Sequence, residues 1–195
     1  MNKKLNNLQT LALMVAAIAT LAIGFSIVNN HLANVQQFNP HKPADSSIVE
    51  SGLLTLNNSP DVSKRVAAAR FFADHPLAIS SSLIQELGQV LAQDKDAQVR
   101  AAVATAIGKS HRKFAGELQD GFYEPQLLEI LLAAYQNEKS AAVRIEIVRA
   151  AAEFDHADAA TIINQSLEDQ DSSVRETGFR VKHYREQRMT RARIG

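Results

Sequence analysis

The chain has no cysteine and no tryptophan among its 195 residues. Without a thiol there are no disulfides, no thiol nucleophile and no cysteine-ligated zinc or iron–sulfur centre. Glycine (8) and proline (5) are also scarce, so few positions break a helix or call for a tight turn. A surplus of one charge sign is missing too, because 21 basic and 21 acidic residues cancel. What is abundant is alanine, 30 residues, within an apolar fraction of 46% and a charged fraction of 22%. This is globular composition rich in helix formers, and it predicts an all-α body.

The charge balance hides a segregation. Residues 1–30 carry Lys3 and Lys4 and no acid, and residues 180–195 carry six Arg or Lys against Glu186 alone. The stretch 31–179 is left with a net charge of −7. An acidic body with a basic tail differs from a nucleic-acid binder, whose positive charge lies along a face of the domain, and nucleic acid is not an expected partner.

Residues 8–28 (LQTLALMVAAIATLAIGFSIV) form an uncharged run of 21 residues. As an α-helix this run is about 31 Å long, the thickness of a bilayer's hydrocarbon core. The sequence therefore predicts one transmembrane signal anchor at 8–28. It is preceded by a short cytoplasmic N-terminus (1–7) and followed by an Asn-, Gln- and Pro-containing linker (29–45). A cleaved signal peptide is the competing reading, although its apolar region is usually ~7–15 residues and ends at a small-residue site. Two lysines before the run and none until Lys42 after it favour a bacterial inner-membrane protein with its C-terminal domain in the periplasm.

Laying the chain on itself reveals a repeat. Four windows align without gaps: DVSKRVAAARFFA from Asp61, DAQVRAAVATAIG from Asp96, SAAVRIEIVRAAA from Ser140 and DSSVRETGFRVKH from Asp171. Four residues past each opener stands an arginine: Arg65, Arg100, Arg144 and Arg175. These arginines are 35, 44 and 31 residues apart. Small or apolar residues follow at helical spacing, and the Asp or Ser opener is a natural N-cap. A second apolar-periodic segment lies between successive windows (77–93, 125–137 and 158–168), and 46–56 adds one helix in front. The expectation is seven or eight helices arranged in pairs.

The D-x-x-V-R-x-x-A-x-x-A-L-G pattern of these windows resembles the HEAT repeat, particularly its short bacterial type, over roughly residues 60–187. Residues 96–108 are the best copy, while the first window lacks the Val and the third lacks the Asp. The resemblance implies a short right-handed α-solenoid of about four HEAT-like helix pairs, occupying 46–187 behind the transmembrane helix, with a basic tail at 188–195. It also implies that Asp96, Arg100, Asp171 and Arg175, with Arg65 and Arg144 in the same register, belong to a ladder of polar contacts between repeats. Solvated charges on helix surfaces are the simpler alternative. Some bacterial HEAT-like proteins are lyases that attach bilin chromophores, so the resemblance also admits a lyase-like or cofactor-handling accessory role.

Motifs for chemistry are absent. The sequence holds no G-x-x-x-x-G-K-S/T, G-x-G-x-x-G, G-x-S-x-G or H-E-x-x-H, and so none of the usual phosphate, hydrolase or zincin signatures. The six histidines are scattered. The one acid–histidine cluster, Asp155-His156-x-Asp158, falls between helices, where a cap explains it better than a metal. No cofactor and no metal is expected, and the chain reads as a non-enzyme.

Two features depart from the repeat. Residues 110–125 read as a long connection with Arg112, Lys113, Phe114, Phe122 and Tyr123, residue types that interface hot spots favour. The same aromatics could equally plug a widened repeat. The basic C-terminal stretch complements a helix dipole, or binds anionic lipid or nucleic acid. Together these observations lead to the expectation of a membrane-tethered, non-enzymatic scaffold or adaptor that binds a partner protein on a curved helical surface.

Overall fold

The structure, a computed structural model, describes residues 46–75, 81–114, 124–154 and 156–194. Among them are eight α-helices and no strand: α1 (Ser46–Asn58), α2 (Val62–Asp74), α3 (Ser81–Gln93), α4 (Ala97–Phe114), α5 (Glu124–Asn137), α6 (Ala141–Ala151), α7 (Ala157–Ser166) and α8 (Ser172–Ile194). The even-numbered helices begin one residue after the four repeat openers. Asp61, Asp96 and Asp171 cap them by accepting hydrogen bonds of 2.8 Å from the amides of Ser63, Gln98 and Ser173. Each bond satisfies one of the first-turn N–H groups that a helix leaves without an internal partner. Ser140 makes no side-chain cap bond.

The helices pack in pairs and in two rows. Each odd helix packs on the even helix that follows it; the even helices stack in series (α2 on α4, α4 on α6, α6 on α8), and the odd helices form a parallel series. One continuous core runs between the rows, with Leu56, Phe71, Phe72, Leu87, Leu91, Ile107, Leu128, Leu131, Ile147 and Ile162 fully buried. Alanine is what lets the even row close up. Gly108 of α4 lies so near α6 that an added Cβ would meet the Ala150 Cα at 2.7 Å.

The fold class expected from sequence needs correction. The described residues form an all-α body, but no helix among them is long and apolar enough to cross a membrane. The two longest, α4 with 18 residues and α8 with 23, carry too many charged residues. The stretch 8–28, to which the span was assigned, lies outside the described residues, as does the linker 29–45. The connection expected at 110–125 is shorter than it reads, because α4 continues to Phe114 and α5 begins at Glu124. At the other end α8 runs to Ile194, through residue 188 where the tail was placed.

Candidate functional site

The four repeat arginines and three acids form one continuous polar seam along the turns that lead into α2, α4, α6 and α8. Arg65 donates from Nε and Nη2 to the two carboxylate oxygens of Asp94, at 2.8 and 3.1 Å. Arg100 grips Glu138 in the same way at 2.7 and 2.8 Å. Arg144 grips Asp169 with two bonds of 2.8 Å. In each case the arginine belongs to one helix pair and the acid to the turn of the next, 29, 38 and 25 positions later in the chain.

Each arginine also spans its own turn. Nη1 donates to the backbone carbonyl six residues earlier: Arg65 to Ser59, Arg100 to Asp94, Arg144 to Glu138 and Arg175 to Asp169, at 2.6–3.1 Å. The acid turns inward as well. Asp94, Glu138 and Asp169 accept from the amides of the openers Asp96, Ser140 and Asp171 at 2.7–2.9 Å. One carboxylate therefore fixes the turn before a helix and ties that turn to the preceding pair. This bidentate, charge-assisted geometry is the strong form of the interaction.

Burial is deepest at the third rung. The side chains of Arg65 and Asp94 are 13% and 9% exposed and those of Arg100 and Glu138 at the second are 16% and 6%, whereas those of Arg144 and Asp169 are 6% and 5%. Tyr135 of α5 adds a third donor to Asp169, its hydroxyl 2.7 Å from Oδ2. Burial alone would raise the Asp169 carboxyl, but the bonds from Arg144, the Asp171 amide and Tyr135 outweigh it and hold the group at about 2. Glu138 is also lowered: burial opposes the shift, and the bonds from Arg100 and Ser140 prevail. Burial, reinforced by the bond to Asp169, pushes the Tyr135 phenol far above its usual range. Arg100 and Arg144 are raised by their carboxylate bonds.

The residues singled out from sequence fall into two sets. Arg65, Arg100 and Arg144 are the donors of the seam, and Arg175 occupies the same register at its end. Asp96 and Asp171 face their own helix starts as caps and bond to no arginine side chain of a neighbouring pair; the acids that do are Asp94, Glu138 and Asp169. These acids stand two residues before their openers, a position that an alignment started at the opener passes over. Arg112, Lys113 and Phe114 end α4, while Phe122 and Tyr123 lie outside the described residues.

Nothing in the described residues gathers for chemistry. His156 caps α7, its Nδ1 accepting from the Asp158 amide at 3.2 Å. Among the described residues no group of three or more His, Asp or Glu could hold a metal. A shallow groove of about 190 Å³ runs between α1 and α3, lined by Leu56, Asn57, Gln89, Val90, Gln93 and Asp94. It is smaller than the ~300–1,000 Å³ that small-molecule sites need. No protein-family model matches the chain, and no curated protein and no solved structure matches it.

Proposed function

We propose that the protein is a non-enzymatic binding module, a HEAT-like array of helix pairs that holds a partner protein on its extended surface. One observation carries the reading: among the described residues, the groups whose protonation the fold displaces (Arg100, Tyr135, Glu138, Arg144 and Asp169) all sit in the inter-pair seam. Displaced groups collect at active sites or in structural ion-pair networks. Here each is bonded to another member of the network. The seam stiffens the joints between pairs, and a stiff stack offers a wide preorganised surface whose binding loses little conformational freedom. The repeat register supports the HEAT-like assignment, since every even helix opens one residue past an aligned window's first position.

The test is affinity capture from the native host with the full chain as bait, followed by reciprocal capture with each candidate as bait. The reading expects a protein partner recovered in both directions at near-stoichiometric yield. Recovery of no protein above an unrelated helical bait would contradict it.

A further inference from the structure

We propose that the C-terminal end of the array, the α8 face carrying Arg175 and Phe179, docks a partner protein through an acidic turn at a helix start, whose aspartate or glutamate occupies the Arg175 fork. The inference rests on the binding-module reading and adds the partner's chemistry and its place.

The argument is the repeat's own register. In the first three pairs the arginine's Nε and Nη2 grip a carboxylate from the next pair. Arg175 keeps only the other half of this arrangement, donating from Nη1 to the Asp169 and Gln170 carbonyls. Among the described residues no carboxylate pairs with it. Its Nε and Nη2, the atoms that in Arg65, Arg100 and Arg144 grip a carboxylate, have no such partner among the described residues.

Phe179 is a second, independent observation on the same face. Eight residues past the first three openers stand Ala69, Ala104 and Val148, each 0% exposed; Phe179 at that step is 60% exposed. A large aromatic at a position built for burial, one helical turn from an arginine, has the composition of an interface anchor. A face made only for solvent would be polar, as terminal repeats generally are. Three residues further along, exposed Lys182 replaces Phe72, Ile107 and Ala151, which are buried. Two cations around one aromatic fit an acidic partner surface.

A second copy of this chain does not supply the match. Its first described pair carries Ser59 where the later pairs carry Asp94, Glu138 and Asp169, and Ser59 binds the Asp61 amide with a hydroxyl. Stacked head to tail, two copies would offer Arg175 no corresponding charge.

The experiment places a photo-crosslinker at the face (Phe179→p-benzoylphenylalanine) in the full chain in its native host, with a control crosslinker at exposed Arg70. The expected result is a crosslink at 179 that maps by mass spectrometry within a few residues of an Asp or Glu at a helix start. Arg175→Lys keeps the charge but loses the two-pronged fork, and Arg175→Gln loses both. Each should lower the yield by about tenfold, the loss expected when one partner of an interfacial charge pair is changed. Circular dichroism melting separates lost docking from lost folding: a near-normal midpoint with a lost crosslink supports the proposal. Crosslinks to another copy of this chain, to a segment without a carboxylate, or with yield unchanged in both Arg175 variants would overturn it. Capture at Arg70 alone would overturn the end-face proposal and leave the binding-module reading standing. Capture at neither position would overturn the end-face proposal, while the reciprocal affinity capture decides the binding-module reading.

Discussion

Arg144 and Asp169 lie 25 positions apart in the chain and meet through two parallel hydrogen bonds of 2.8 Å, with both side chains about 95% buried. The pair joins α6 to the turn before α8, and Tyr135 completes it from α5. Losing the arginine would leave a buried carboxylate with only neutral donors. Arg144→Ala is expected to cost about 3–5 kcal/mol, the penalty for an uncompensated buried charge. Urea unfolding of the full chain checks this.

The rungs differ in burial, and the third is the deepest. Arg65 and Asp94 are more exposed than Arg144 and Asp169, so more of their attraction is screened by water. Arg65→Ala should destabilise by less than half as much as Arg144→Ala. Equal losses in matched urea titrations would contradict this ordering.

The acid limb of stability follows from Asp169. Its carboxyl is held at about 2, below its ordinary 3.8, so the folded state binds this proton less readily than the unfolded state. Its contribution is present in full above the ordinary value and fades as pH falls through 2. It amounts to about 2 kcal/mol by proton linkage. Asp169→Asn should be less stable at pH 7 and show a shallower loss between pH 4 and 2. An unchanged slope in pH-dependent melting would contradict the assignment.

Two glycines predict different outcomes. At Gly108 a Cβ would strike the backbone of Ala150 at 2.7 Å, whereas at Gly88 it would meet the Ile130 side chain, whose Cδ1 is 3.0 Å away. Backbone cannot yield cheaply, so Gly108→Ala should destabilise by about 1–3 kcal/mol. Gly88→Ala gains up to ~1 kcal/mol of helix propensity while a side-chain end shifts, and should fall near zero. Thermal melting of both variants distinguishes them.

Much of the architecture was legible because helical periodicity is local. The openers, the buried pair Phe71 and Phe72, and the register of the four arginines all follow from spacing within about 13 residues. The acids of the seam were harder to see. Asp94, Glu138 and Asp169 find their arginines 25–38 positions away, and one of the three is a Glu where the others are Asp. Their first counterpart is Ser59, which bonds the Asp61 amide through a hydroxyl; that break hides the pattern from an alignment. The extent of α4 misled for a different reason: Ser110 bonds its own helix through the Ile107 carbonyl at 2.7 Å, so a residue that commonly marks a turn continues a helix. The uncharged run at 8–28 has a clear composition, but the described helices include no membrane-crossing element.

The central structural claim, that arginine forks join each helix pair to the next, is tested most directly by a double-mutant cycle on Arg100 and Glu138. The two side chains contact at 2.7 Å across α4 and the turn before α6. Unfolding free energies of the full chain, of Arg100→Ala, of Glu138→Ala and of the double variant give the coupling energy without assigning a value to either residue alone. The account predicts a favourable coupling within the ~0.5–3 kcal/mol range of contacting, networked residues. Strictly additive losses would contradict it and reduce the seam to surface charge.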